Sequence, residues 1–406
     1  MNSSSLIIFN CKLVLPDRII PGSILVENGK IAAVEEAGTI STSFPSVWNK
    51  EGGKPVLIDG EGNYLAPGFI DIHNHGRLGC DFMDGKESSV ETIAKNQAEH
   101  GVTGFLAGTS SIPWEKSLNS LRFLAGYYKA ETERSDSEDS AKGAQCFGIY
   151  SEGNFFSIEK RGAHNPEYLK SILTRDDLDV LFAAAGSALK VVALSPELPG
   201  ADEWIRFIRS KGTVVAAAHT NATYEEAMAG INLGITLATH TFNGMRSLSH
   251  QEPGILGAVL NNDRVSCELI ADGIHVAPPV LSLVYKIKGP DKIVLISDSV
   301  IVGGIPDGRY EKEGFIVIVK DGIVRLEDGR LAGSSLSLDK AVRNMVNLAG
   351  ISLCHAVRAA SLNPARILGM DHKKGSLEQG KDADLVIFNE NVEIKKVFIQ
   401  GRSFLA

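Results

Sequence analysis

The chain has 406 residues but only five cysteines (Cys11, Cys80, Cys146, Cys267 and Cys354), and none of them form a Cys-x-x-Cys pair. An odd, scattered set, three members of which sit in apolar strand-like runs, points to buried reduced thiols in a cytoplasmic protein rather than a disulfide framework. Long hydrophobic runs are also missing. No apolar stretch approaches the roughly 18 residues of a membrane span, which excludes a membrane partner of that kind. The opening Met-Asn-Ser-Ser-Ser lacks the basic region and apolar run expected of a secretory leader. Positive charge is in short supply: 41 Lys and Arg against 49 Asp and Glu give a net charge of −8, which argues against a nucleic-acid-binding surface. No internal repeat is visible, and no Gly-x-Gly-x-x-Gly turn opens a helix.

What is present is an ordinary globular composition, 44% hydrophobic and 22% charged, on a chain long enough for one large barrel with an appendage or for two to three domains. Residues 6–37 read as short strands, with Asn28-Gly29 as a hairpin turn. Residues 38–55 read as a Ser/Gly/Pro-rich surface loop, and Val56–Asp59 as a further strand. From Leu65 the pattern alternates. Eight strands are expected at Phe69–His73, Gly104–Gly108, Cys146–Ser151, Leu189–Ser195, Val214–His219, Thr236–His240, Ser266–Ala271 and Ile293–Ser297. Helix-like segments, among them Trp114–Ala130, Pro166–Ala185 and Pro278–Lys288, lie between them, and Leu338–Ala360 follows as a helical stretch. The charged segment Glu131–Lys142 is expected to be a mobile loop. Hairpin signals at Asp321-Gly322 and Asp328-Gly329 place an insertion at the barrel mouth. The strand-like tail from Gly380 is expected to pair with the N-terminal strands. The predicted architecture is α/β: a (β/α)8 TIM-type barrel over 66–365 and a small β-sandwich domain built from both termini, 1–65 and 366–406. A doubly wound open sheet is the alternative.

Active residues of a barrel collect at the C-terminal ends of its strands. Here strand one ends in His73-Asn74-His75, whose two imidazoles share one face of an extended chain. Strand three runs into Glu152, strand five into His219, strand six into His240 and strand eight into Asp298. Packing explains one such histidine easily and the whole set poorly. Neutral imidazoles and carboxylates suit Zn2+ or Fe2+. Such an ion lowers the pKa of a bound water to ~7, and a neighbouring carboxylate, here Asp298, takes that proton and later delivers it to a leaving amine. Glu152 can hold one ion or bridge two, and His73 and His75 can complete a second site.

The order His-x-His, Glu, His, His, Asp resembles the amidohydrolase superfamily. Within it the chain is similar to the N-acetylglucosamine-6-phosphate deacetylases nearly end to end, through Ala66-Pro-Gly-Phe-Ile-Asp-Ile-His73, Gly162-Ala-His-Asn-Pro166, Leu194-Ser-Pro-Glu197, His219-Thr-Asn-Ala-Thr-Tyr224, Thr239-His-Thr-Phe-Asn-Gly-Met245, Glu252-Pro-Gly254, Asp272-Gly-Ile-His-Val276 and Ala332-Gly-Ser334. The resemblance implies that Glu152, His219 and His240 hold the principal metal, that His73 and His75 match members able to fill a second site, and that Asp298 is general base and then acid. It implies that His164, beside Ala163, polarises the acetyl carbonyl. His275, Asn243 and Gly244 contact the sugar phosphate, and Ala332, Gly333 and Ser334 line the acetyl end. It also implies a homodimer. Where the family carries arginine just before Glu-Pro-Gly, this chain has Gln251, which lacks the charge and fork geometry of a phosphate clamp. Arg246 and Arg77 are the cationic substitutes at hand. The expected reaction is metal-dependent deacetylation of an N-acetyl amino sugar, N-acetylglucosamine 6-phosphate first, with one or two divalent ions per subunit. An unphosphorylated or epimeric N-acetylhexosamine is the alternative, and a non-catalytic assembly protein on the same scaffold ranks below both.

Overall fold

The structure, a computed structural model, describes residues 5–36, 55–133, 143–312 and 315–405. The expected loops over 38–54 and 134–142 lie outside the described residues, but residues 131–133 belong to the helix Trp114–Glu133.

Eight parallel strands form the barrel: Phe69–Asp71, Val102–Gly108, Gln145–Ser151, Leu189–Leu194, Val214–Ala217, Ile235–Ala238, Ser266–Leu269 and Ile293–Leu295. They read as continuous apolar runs because both faces are buried, one by the barrel interior and one by the surrounding helices. First and last strands are joined at the C-terminal rim. Asp298 N donates to His73 O at 2.9 Å and His75 N to Ser299 O at 2.8 Å. Below them Ser297 Oγ donates to Asp71 Oδ2 at 2.6 Å.

Strands five, six and eight stop earlier than the apolar pattern suggests, for one reason. His219, His240 and Asp298 have φ of 44°, 27° and 47°. A left-handed residue cannot continue a strand, and the conformation costs on the order of 1–2 kcal/mol for a residue with a Cβ. The chain therefore turns at the residues carrying the chemistry.

Two expected helices are divided. Pro166–Ala185 is a 3₁₀ turn, Pro166–Tyr168, and a helix, Arg175–Ala185, whose N-cap Thr174 accepts from Asp177 N. The intervening chain is tied to the strand-three rim: Lys170 N donates to Asn154 O at 2.6 Å and Asn154 Nδ2 to Tyr168 O at 2.7 Å. Leu338–Ala360 breaks around Gly350 (φ 69°) into Leu338–Asn347 and Leu353–Ala360.

Both termini contribute to one eight-stranded sheet, in which Tyr64–Pro67 pairs with Leu385–Phe388 and with Leu6–Val14. The Asn28-Gly29 turn near one end of this sheet reaches the other: Ala383 N donates to Gly29 O and Ile31 N to Lys381 O, both at 2.8 Å. The sheet thereby folds over a core containing Ile8, Leu13, Ile24, Leu65, Leu385 and Phe398. The insertion after strand eight is a three-stranded antiparallel sheet, Gly308–Lys312, Phe315–Lys320 and Ile323–Leu326, with Asp321-Gly322 in its second turn. Its apolar face, Val319 and Val324, packs with Val302 and Ala332 against Ala163, so it covers the loop that carries His164.

Candidate active site

Five rim histidines and two carboxylates converge. His73, His75, Glu152, His219, His240 and Asp298 are all buried, none more than 7% exposed. Glu152 sits between two groups of imidazoles. Its Oε1 lies 3.0 Å from His240 Nε2 and 3.3 Å from His219 Nε2. Its Oε2 lies 3.3 Å from His75 Nε2 and 3.6 Å from His73 Nε2. Asp298 Oδ1 approaches the second group, 3.3 Å from His75 and 3.8 Å from His73. His164 joins the first group, its Nε2 3.2 Å from His219 Nε2 and 3.9 Å from Glu152 Oε2.

The far side of three rings settles which nitrogen faces inward. His219 Nδ1 lies 2.9 Å from Lys160 O, His240 Nδ1 3.1 Å from Asn243 O, and His73 Nδ1 2.9 Å from Glu268 Oε2. These acceptors require an Nδ1 proton, so each neutral ring presents an Nε2 lone pair to the centre. Two pairs of ring nitrogens face each other closely, His73 Nε2 with His75 Nε2 at 3.2 Å and His219 Nε2 with His240 Nε2 at 3.1 Å. Lone pairs so placed repel unless a cation or added protons lie among them, and outward-donating imidazoles around carboxylates are the usual dress of a metal site. The donor set thus fits divalent ions: His73, His75 and Asp298 form one candidate group, and Glu152, His164 and His219 another, with His240 adjoining.

Electrostatics agree with the geometry. Burial alone would raise the Glu152 carboxyl, but the charge of His73 and hydrogen bonds from His219 and His240 hold it well below the ordinary range. Asp298 is likewise opposed by burial, yet its hydrogen bond with His75 and the charges of His73 and His75 bring it to about 2. His75 is lowered by burial and raised more by Asp298 and Glu152, to about 9. His164 goes the other way: burial and the charge of His219 push it down to about 3, leaving a neutral ring able to donate one N–H.

The remaining expected positions divide. Asn243 and Gly244 border the centre. Gly244 has φ 61°, and a methyl there would lie 2.5 Å from His219 Nδ1, so close approach to that ring demands glycine. Ser334 N donates to Asp298 O at 2.8 Å, and a methyl on Gly333 would meet Val300 Cγ1 at 2.3 Å. Ala332-Gly333-Ser334 therefore clamps the backbone of Asp298. His275 is fixed by Asp272, Nδ1 to Oδ2 2.6 Å. Gln251 is exposed and stands apart from this network. Arg246 is half-buried and bonded to Glu252 (2.8 Å) and Asn221 O (3.3 Å).

Arg77 is a correction. It is not available to an anion: only 5% exposed, it donates to Asn96 (2.6 Å), Ser299 Oγ (3.1 Å) and Leu336 O (2.8 Å). It braces the loops around the closing strands. Replacing Arg77 with Met strips those acceptors of their donor and is expected to cost about 3 kcal/mol in urea unfolding; unchanged stability would refute the bracing role.

Two functional-looking residues were given no role by the sequence. Glu197 holds the turn after His219, Oε2 2.6 Å from Thr220 Oγ1 and Oε1 2.6 Å from Asn221 N. Glu268, inside strand seven and fully buried, faces His73. The available signal for Glu268 was a carboxylate in the otherwise uncharged run Val265–Ala271.

A sequence model of the amidohydrolase family matches residues 64–404. A relative in Escherichia coli O157:H7, named N-acetylgalactosamine-6-phosphate deacetylase, is 38% identical over 86% of this chain and 90% of its own. One in Vibrio furnissii, named N-acetylglucosamine-6-phosphate deacetylase, is 35% identical over 92% and 90%. The crystal structure of N-acetylglucosamine-6-phosphate deacetylase from Thermotoga maritima superposes with a TM-score of 0.85, at 31% identity, over 98% of this chain and 99% of that one. With the barrel, the rim histidines and these matches together, the chain belongs to the amidohydrolase family.

Proposed function

We propose that the protein removes the acetyl group from an N-acetylated amino sugar phosphate, N-acetylglucosamine 6-phosphate first, releasing acetate and the free amine. The observation that carries this reading is Glu152 placed between two sets of inward-facing imidazoles, with Asp298 beside them. Glu152, His219 and His240 would hold one divalent ion, and His73, His75 and Asp298, sharing Glu152, a second. Zn2+ and Fe2+ both suit these donors. A bound ion supplies Lewis acidity toward the acetyl carbonyl and makes an adjacent water acidic. The chain does the rest. Asp298 accepts the proton of the attacking water and returns it to the departing nitrogen. His164 donates its N–H to the carbonyl oxygen as negative charge develops there. His275, held by Asp272, and Asn243 with Gly244 grip the sugar phosphate, while Ala332, Gly333 and Ser334 border the acetyl group.

Acetate release from a panel of N-acetylhexosamines tests the substrate. Phosphate recognition through charge-assisted hydrogen bonds is expected to favour the 6-phosphates by at least about tenfold in kcat/KM. Equal rates on plain sugars would instead support an unphosphorylated substrate, the reading favoured by the neutral Gln251. Preference for the galacto epimer is a further reading, supported by the name of the Escherichia coli relative. We also infer a terminal β unit, 1–65 and 366–406, serving a catalytic barrel, 66–365. We infer a cytoplasmic location from the five unpaired cysteines, four of them buried, and a homodimer from the family resemblance alone.

A further inference from the structure

Glu268 has no part in the reaction as described, yet its burial is costly. It is 0% exposed inside strand seven, and its Oε1 has no partner. Burying a carboxylate is costly unless its partners offset the lost hydration. Its other oxygen explains its presence. Oε2 lies 2.9 Å from His73 Nδ1 and accepts from His240 N at 3.1 Å. Among the three oriented imidazoles, His219 and His240 are held by main-chain carbonyls, Lys160 O and Asn243 O. Only His73 is held by a side chain. Its ring plane is fixed separately by Tyr150, stacked at 4.4 Å between centroids, so what Glu268 adds is the choice of protonated nitrogen.

We propose that Glu268 is a positioning residue for a second divalent cation. By keeping the proton of His73 on Nδ1 it leaves Nε2 free to bind an ion between His73, His75, Glu152 and Asp298. This rests on the metal-dependent reading above.

Zinc content and affinity, measured against a competing chelator, test the proposal in the unaltered protein, Glu268→Leu and Glu268→Gln. The unaltered protein is expected to hold two zinc ions per chain. Glu268→Leu should bind the second about 10- to 100-fold more weakly, the usual effect of losing the partner of a ligating histidine, with the first unchanged. Glu268→Gln keeps an acceptor oxygen for His73 and should retain the second ion better than the leucine variant. Loss of both ions together, retention of both in Glu268→Leu, or a glutamine variant no better than leucine overturns the positioning role. An unaltered protein holding one ion overturns it too while leaving deacetylation standing; one holding none overturns both. Should the leucine variant not fold, the long-range ¹⁵N–¹H spectrum of the zinc-loaded unaltered protein decides. His73, assigned through His73→Gln, should show a protonated Nδ1, and a bare Nδ1 contradicts the proposal.

Discussion

Asp298→Asn is expected to keep the ion held by Glu152, His219 and His240 and to release acetate about 10³-fold more slowly than the unaltered protein. Asparagine preserves the shape and the backbone contacts that close the barrel, namely Asp298 N to His73 O and Ser334 N to Asp298 O. What it loses is the ability to take a proton. Positioned general acid–base groups contribute roughly 10²–10⁴-fold, and Asp298 is assigned both halves of the transfer, so the loss falls within that range. Its carboxyl, held at about 2, is ionised throughout the neutral range and therefore ready to accept. Steady-state kinetics with parallel metal analysis is the check. An asparagine variant with near-normal turnover would move the proton transfer to another group. A variant that is inactive because it is empty of metal would make Asp298 a ligand first.

The second large effect is chelation. Stripping divalent ions is expected to abolish acetate release to the assay limit, and adding back Zn2+ or Fe2+ to restore it. Recovery carries a pH signature. In the ion-free chain His75 titrates near 9, raised by Asp298 and Glu152 against the opposing effect of burial, and His73 also lies well above the ordinary imidazole range. Both therefore carry protons at neutral pH, and an entering cation must displace them. Apparent affinity should rise with pH from neutrality through about 9, with proton release visible in weakly buffered solution. Full activity after exhaustive chelation, or binding without proton release, would count against the assigned ligands.

The sequence was legible where physics acts locally. Eight apolar runs followed by polar residues are what a barrel buried on both faces must look like, and His73, Glu152, His219, His240 and Asp298 stand out because an apolar strand rarely ends that way. The ends of strands five, six and eight were overrun by two residues each because nothing in a single sequence announces that His219, His240 and Asp298 turn left-handed. Thr174, Gly350 and Ser352, which divide two expected helices, are local signals outweighed by long apolar periodicity. Non-local contacts were the real gap. Arg77 looked like a surface cation, but its acceptors, Ser299 and Leu336, lie more than two hundred residues away. Glu268 was hidden inside a strand for the same reason: its partner His73 is 195 residues distant.

Anomalous diffraction at the zinc edge, from crystals of the zinc-loaded protein, tests the central claim most directly. The account expects a peak flanked by Glu152, His219 and His240, with imidazole nitrogens at about 2.0–2.1 Å, and a second beside His73, His75 and Asp298. Absence of any peak at Glu152, with the protein folded and zinc in excess, would contradict it.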